Sequence, residues 1–219
     1  MTDGAAVETR QCWRCAADGG ADAGAGLVCA QCEAPQALPS GVDLFTILGL
    51  PRGLVLDAAD LERRYHAASR AVHPDRHQTS DAKARDLSLA AGAAVNRAYR
   101  TLRDPIAAGR YWLELHGERL GNENRVPPAL AALVFETQET LEELRDAGGS
   151  GPLRERVTAI KGELVSRLAS LQAELTHHYT EWAAADPAAS AVIAELKRRL
   201  SEIAYLRTLL ADVDAALGD

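Results

Sequence analysis

The chain has 219 residues, of which 47% are hydrophobic, and a formal net charge of −7 with a sequence pI near 5.4. This acidic balance argues against a general electrostatic attraction to nucleic acid, unless basic residues are segregated on one surface. Ala, Leu, Glu and Arg are abundant and only two Phe are present, which predicts an all-α fold.

Membrane insertion and export are not indicated by the sequence. No stretch approaches the roughly 18 uncharged apolar residues that a membrane-spanning helix needs. The N-terminus lacks the basic segment and apolar core of a signal peptide, and no transit peptide precedes Cys12. We therefore expect no membrane partner and a bacterial cytoplasmic location.

Two C-x2-C pairs, Cys12 with Cys15 and Cys29 with Cys32, lie in an N-terminal segment rich in Gly and Ala. This segment has too few large apolar residues to bury much surface, so it needs a cross-link or a metal. The spacing is typical of a four-cysteine zinc knuckle or ribbon, in which protein ligands take every metal position. We therefore predict structural zinc, with two disulfides or reactive thiols as the alternatives.

Two helices are predicted after a boundary at residues 39–41. The segment VDLFTILGL predicts a helix of about two turns that Gly49 ends in the left-handed conformation. A longer helix begins after Asp57, a good N-cap residue, and its remaining surface is locally basic. The apolar stripe of this second helix consists of Leu61, Tyr65, Ala68 and Val72.

Pro74 ends the second helix because proline lacks an amide donor and pushes its predecessor out of the α region. A third helix is predicted from about Ser80 to Leu102. Helices joined by a loop of this length pair antiparallel, which places His73, Pro74 and Asp75 at the exposed tip of a helical hairpin.

The second half of the chain predicts a three-helix antiparallel bundle after a short helix from Pro105 to Leu115. Apolar residues recur at steps of three and four along each longer helix, at about residues 128–146, 153–184 and 187–217. The predicted domains are a zinc-binding module at 1–40, a hairpin domain at 41–115 and a three-helix domain at 116–219.

The stretch AVHPDRHQ, residues 71–78, has three interpretations: a metal or catalytic site, a docking loop, or a simple turn. Pro74 makes the segment rigid, and no further ligand cluster converges on His73, Asp75 and His77, so a metal site is disfavoured. His177 and His178 lie about 100° apart on a helix and are not expected to face a common ligand.

Motifs of enzymes are also missing from the sequence. We find no nucleophile elbow, phosphate-binding glycine loop or dinucleotide fingerprint, so we do not expect an enzyme.

The context of the HPD sequence favours docking. The segments DLFTILGL, LERRYHAASRAVHPDRH and VNRAYRTLRDP, in this order, resemble the J-domain family over about residues 43–105. In that family the HPD loop and the basic second helix engage the ATPase domain of a DnaK-class chaperone and trigger ATP hydrolysis. The resemblance implies that His73, Pro74 and Asp75 form the trigger. It also implies docking roles for Arg63, Arg64, Arg70 and Arg76.

The segment RTLRDPIAAGRYWLELHG and the long final helices resemble the HscB family of co-chaperones of iron–sulfur cluster biogenesis, from about Asp43 to the C-terminus. CWRC and CAQC are similar to the tetracysteine extension of HscB forms in animals and some bacteria. The resemblance implies that the C-terminal helices bind an IscU-type scaffold protein and deliver it to a DnaK/HscA-class chaperone. Matching scaffold-binding positions are Leu130, Phe135, Glu136, Glu139 and Tyr205.

Ala131 and Ala132 depart from the larger apolar residues that the family usually has there. Other functions are kept as alternatives: a J-domain co-chaperone for a different client, a zinc-dependent nucleic-acid binder, and a thiol redox sensor. The acidic balance and the few basic residues near the cysteines argue against nucleic acid.

Overall fold

The structure is a computed structural model that describes residues 11–18, 26–77, 81–121, 125–148, 151–184 and 189–218. The described residues contain two isolated β-bridges but no strand, which confirms the all-α prediction. The chain divides into two compact units, Met1–Asp104 and Pro105–Asp219. None of the described helices is long and apolar enough to cross a membrane.

The first unit begins with the cysteine segment and continues with helices α1 (Leu44–Ile47), α2 (Ala58–Ala71) and α3 (Ala82–Arg103). Helix α1 has one turn instead of the predicted two. Its end is set by the amides of Leu48 and Gly49, which bond three residues back, and by the left-handed φ of +64° at Gly49.

Aspartate N-caps start the three helices of this unit. The side chains of Asp43, Asp57 and Asp81 accept hydrogen bonds from amides in the first turns of α1, α2 and α3. Helices α2 and α3 form the predicted hairpin, and α1 packs on α3. The buried core of the first unit includes Phe45, Leu61, Val72, Val95 and Ala98.

The second unit contains α4 (Pro105–Leu115), α5 (Ala131–Asp146), α6 (Gly151–Ala184) and α7 (Ser190–Leu217). A 3₁₀ turn, Pro128–Leu130, precedes α5. Helices α5, α6 and α7 form the predicted bundle, whose core includes Leu164, Leu175, Leu196, Leu200 and Ile203. Residues 187 and 188, where the sequence predicts the start of the last helix, lie outside the described residues.

Helix α4 packs against α6 and α7, so it belongs to the second compact unit, whereas the predicted hairpin domain, 41–115, includes it. Gly109 is buried where α4 meets these helices, and the Tyr179 hydroxyl donates a 2.6 Å hydrogen bond to the Pro105 carbonyl oxygen. The domain boundaries at residues 40 and 115 stay predictions.

Candidate functional site

The four cysteine sulfurs form one cluster, in which every Sγ atom lies within 4.8 Å of the others. The Sγ–Sγ distance is 3.6 Å between Cys12 and Cys32, and 3.8 Å between Cys15 and Cys29. A disulfide needs about 2.05 Å, whereas four sulfurs at about 2.3 Å from a tetrahedral zinc are separated by about 3.8 Å. The cluster therefore fits a tetrahedral metal and not two disulfides.

The two cysteine pairs lie in two equivalent turns. The amide of Ala16 bonds to the Cys12 carbonyl oxygen, and the amide of Glu33 bonds to the Cys29 carbonyl oxygen, both at 2.9 Å. Ala16 and Glu33 each follow the second cysteine of a pair, and both are left-handed, with φ of +56° and +54°. We call these turns the first knuckle (residues 12–17) and the second knuckle (residues 29–34).

The thiol pKa values differ within the cluster. Burial raises the pKa of Cys12, but hydrogen bonds from the backbone of Cys15 and Arg14 outweigh it and lower that pKa to about 6. Backbone hydrogen bonds from Cys32 and Gln31 also lower the pKa of Cys29. The amide of Ala34 favours the Cys32 thiolate, but burial and the other sulfurs raise its pKa to about 12. A bound cation would remove this conflict among neighbouring thiolates.

The HPD residues lie where α2 gives way to a 3₁₀ turn, Pro74–His77, and all three are exposed. The amide of Asp75 donates a 3.3 Å hydrogen bond to Nδ1 of His73, and a carboxylate oxygen of Asp75 lies 3.6 Å from the same nitrogen. His77 is buried, with Nε2 3.5 Å from the Ala71 carbonyl oxygen. Among the described residues, only the cysteines form a group of three or more metal-ligand side chains.

One residue that supports this loop had no signal in the sequence. The hydroxyl of Ser88 on α3 is fully buried and donates a 2.7 Å hydrogen bond to the carbonyl oxygen of Val72, directly before His73. A serine within a helix gives no sequence pattern that identifies such a contact between two helices.

The arginines predicted to dock a chaperone differ in their contacts. Arg63 and Arg64 form ion pairs with Asp60 on the same helix, and Arg76 forms one with Glu33. Arg70 and Arg76 line a pocket of about 410 Å³ together with His73, so that cationic groups and the HPD histidine border one concavity. His66 and Ser69 complete its lining.

The predicted scaffold-binding residues also differ in exposure. Phe135 is 70% exposed on α5, and Glu136 and Glu139 are exposed on the same helix. Tyr205 is half-buried on α7. Leu130 is only 1% exposed and belongs to the core, so it is not available for a direct contact in this structure. Aromatic residues are enriched among those that dominate binding at interfaces, so the exposed Phe135 is a candidate contact residue.

His177 and His178 both contact the side chain of Glu181. Nδ1 of His178 lies 2.7 Å and Nε2 of His177 lies 3.5 Å from the carboxylate of Glu181. The two rings leave the helix in different directions. Both contact Glu181 because its long side chain reaches back to His178, three residues earlier, and to His177, four residues earlier. Nη2 of Arg199 lies 3.1 Å from Nε2 of His178, so these side chains form a network of polar contacts between α6 and α7.

A second part of that network involves Glu195. Hydrogen bonds from Arg198 are the largest cause that lowers the pKa of Glu195 to about 2; burial opposes them, and Arg199 adds to them. The Arg198 guanidinium makes two contacts with this carboxylate.

No protein-family profile matches the chain. The "Co-chaperone protein HscB homolog" of Ralstonia nicotianae is 31% identical over 144 residues, which are 65% of this chain and 82% of that protein. This chain belongs to the HscB family. The HscB homolog of Bordetella petrii is 38% identical over 106 residues, which span 48% of this chain and 62% of that relative, less than two thirds of its length.

Other HscB proteins agree with this assignment. The human "Iron-sulfur cluster co-chaperone protein HscB" is 30% identical over 153 residues, covering 70% of this chain and 65% of the human protein. The crystal structure of human HscB matches with a TM-score of 0.72 at 23% identity, over 94% of this chain and 98% of that one, and shows a common fold. The HscB resemblance seen in the sequence is thus confirmed.

Proposed function

We propose that this chain binds an IscU-type iron–sulfur scaffold protein and stimulates the ATPase of a DnaK/HscA-class chaperone through its HPD loop. Membership of the HscB family supports a co-chaperone, and the name of the human relative connects that family with iron–sulfur clusters. The observation that carries the proposal is the exposed HPD loop beside a concavity lined by Arg70, His73 and Arg76.

The loop provides the specific contact in this proposal. Pro74 fixes its backbone, and the Asp75 carboxylate can pair with an arginine of the chaperone. Arg70 offers positive charge to an acidic chaperone surface, which speeds encounter and orients the complex, and Arg76 adds to it although its side chain pairs with Glu33. Arg63 and Arg64 add to the positive electrostatic potential of this surface, although their side chains form ion pairs with Asp60.

The scaffold-binding surface is proposed on α5 and α7. Phe135 supplies an exposed aromatic anchor, Glu136 and Glu139 supply charge on the same helix, and Tyr205 supplies a second aromatic side chain. Ala131 and Ala132 are exposed beside them and offer little apolar area, which concentrates the contact on Phe135. Leu130 supports this surface from the core.

Coupling of the two surfaces defines the mechanism. Binding the scaffold with one unit and the chaperone with the other raises the effective concentration of scaffold at the chaperone. The HPD loop then biases the chaperone towards its ATP-hydrolysing state, so the chaperone retains a scaffold segment. This chain makes and breaks no covalent bond in the process. A bacterial cytoplasmic location is part of the same proposal.

Zinc is the metal that we propose for Cys12, Cys15, Cys29 and Cys32, because four thiolates in a tetrahedron are its usual structural site. When bound, zinc supplies a cross-link that holds both knuckles.

Exchanging Cys12 and Cys15 for Ser should abolish zinc binding and release residues 11–40 while α2 to α7 stay helical. Metal analysis and circular dichroism would test this, and a site that keeps its zinc in mild oxidant would exclude a redox sensor.

The deciding experiment is the steady-state ATPase rate of the DnaK-class chaperone with the scaffold, measured with the wild-type chain, His73→Gln and His177→Gln. The last variant makes the same change at an exposed histidine of the other unit. We expect synergistic stimulation by the wild type and His177→Gln, and none by His73→Gln. Stimulation that does not depend on scaffold would reassign the client, and equal stimulation by His73→Gln would refute the role of the loop.

A further inference from the structure

The tetracysteine knuckles contact the segment that follows the HPD residues. Oε2 of Glu33, in the second knuckle, lies 2.9 Å from Nη2 of Arg76, the residue directly after Asp75. Nζ of Lys83, in the first turn of α3, lies 4.7 Å from the ring centroid of Trp13, in the first knuckle. Each knuckle therefore holds one cationic side chain that follows the HPD residues.

The positions of Trp13 and Glu33 depend on the cysteine cluster. Trp13 lies between Cys12 and Cys15, and its Nε1 donates a 2.7 Å hydrogen bond to the Pro35 carbonyl oxygen, which directly follows the second knuckle. Glu33 directly follows Cys32. Because the close sulfur contacts join the first knuckle to the second, loss of the cluster would release both side chains together.

Glu33 occupies a backbone position that does not favour glutamate. Its φ of +54° is left-handed, where glycine or asparagine is the usual choice. The equivalent position of the first knuckle holds Ala16 in the same conformation, so the knuckle itself does not require a carboxylate. The carboxylate of Glu33 contacts Arg76 instead of a group within its own knuckle.

We propose that Glu33 and Trp13 are positioning residues for the HPD loop, so that chaperone stimulation depends on metal occupancy of the tetracysteine site. The inference rests on the proposed function, since the loop is taken to trigger the chaperone. Arg76 transmits the effect because its amide donates a 3.0 Å hydrogen bond to the His73 carbonyl oxygen. Holding its side chain thus holds the turn in which the HPD residues lie.

Glu33→Ala is the test variant, because it gives the second knuckle the residue that the first already accepts at this position. Hydrogen exchange of the Arg76 amide is measured in the zinc-loaded full chain, in Glu33→Ala, and after zinc removal with a chelator. An exposed ion pair predicts exchange about 1.5- to 5-fold faster in Glu33→Ala. Zinc removal should have at least this effect, because it releases Trp13 as well.

The same proteins are then assayed for chaperone stimulation, with Gln31→Ala, an exposed side chain of the same knuckle, as the matched control. We expect stimulation to fall in Glu33→Ala by a factor similar to the change in exchange, and to be unchanged in Gln31→Ala. Unchanged exchange and stimulation in Glu33→Ala and the zinc-free chain would overturn the inference, although loss of stimulation in His73→Gln would still support the proposed function.

Stronger stimulation by Glu33→Ala would also overturn it, since Glu33 would then be competing with the chaperone for Arg76. If the wild-type chain gives no stimulation, the proposed function fails. The exchange of the Arg76 amide then decides by itself whether the cysteine cluster is coupled to the loop.

Discussion

The hydroxyl of Ser88 donates a 2.7 Å hydrogen bond to the carbonyl oxygen of Val72, and this bond joins α3 to the end of α2 at the start of the HPD loop. Val72 is the C-cap residue of α2, and carbonyls at a helix end lack amide partners from the helix itself. Because both residues are buried, water cannot replace the serine hydroxyl. The contact fixes the direction in which the chain leaves α2.

Ser88→Ala should lower the free energy of unfolding of the first unit by about 1–2 kcal/mol, because a buried carbonyl loses its partner. Urea denaturation measures the change. Ser201→Ala is the matched control, since the Ser201 hydroxyl bonds only to the Lys197 carbonyl oxygen of its own helix. Equal, small effects of both variants would show that the Ser88 bond does not stabilise the hairpin.

Gly109→Ala should destabilise the second unit. A Cβ atom at Gly109 would overlap the Tyr179 hydroxyl and lie 3.3 Å from Cδ1 of Leu196, so either α4 or the buried Tyr179 side chain would have to move. We expect a loss of about 1–3 kcal/mol in the free energy of unfolding, as for overpacked cores. Loss of the hydrogen bond from Tyr179 to Pro105 would accompany it.

Gly162→Ala provides the comparison for that substitution. Gly162 lies within α6, and no atom would approach its Cβ within 4 Å. The same change should therefore stabilise the unit by up to about 1 kcal/mol, through helix propensity alone. Thermal denaturation of both variants checks the pair, and a stabilising Gly109→Ala would contradict the close packing of α4.

The sequence predicts those features of this fold that depend on local spacing. Apolar residues at steps of three and four identified the long helices, Asp57 marked the N-cap of α2, and the C-x2-C pairs identified the cysteine cluster. Each of these signals lies within one helix or turn, so no knowledge of the tertiary structure is needed to detect it.

Contacts between distant segments are what the sequence could not supply. The bond from Ser88 to Val72, and the pairing of Glu33 with Arg76, join residues that are 16 and 43 positions apart. Leu130 shows the same limit, because helical spacing alone does not decide whether an apolar residue faces the core or a partner. The position of α4 depends on Gly109, whose lack of a side chain matters only beside Tyr179.

The ion pairs of Glu195 should make the second unit sensitive to acid. Because its pKa is lowered from 4.5 to about 2, the stabilisation by its charge is complete above about pH 4.5 and is lost as the pH falls towards 2. Glu195→Gln should therefore be less stable than the wild type at pH 7, by no more than about 1 kcal/mol, since these side chains are partly solvated. Urea denaturation from pH 7 to pH 2 tests this, and a difference that stays constant across the range would contradict it.

Phe135 and Leu130 should respond to alanine substitution in opposite ways. Phe135 is 70% exposed, so Phe135→Ala should change the free energy of unfolding by no more than about 0.5 kcal/mol. It should nevertheless weaken scaffold binding about tenfold or more, as expected for an aromatic anchor. Leu130→Ala should instead destabilise the fold by about 2–5 kcal/mol, because it leaves a cavity in the core.

Isothermal titration with an IscU-type scaffold protein, combined with urea denaturation, separates these effects. Val165→Ala is the control for binding, because Val165 is also an exposed apolar residue but lies on α6. Its affinity for the scaffold should stay within about twofold of the wild type. If Phe135→Ala binds as tightly as Val165→Ala, the exposed face of α5 is not the scaffold-binding surface, and Tyr205 on α7 becomes the next position to test.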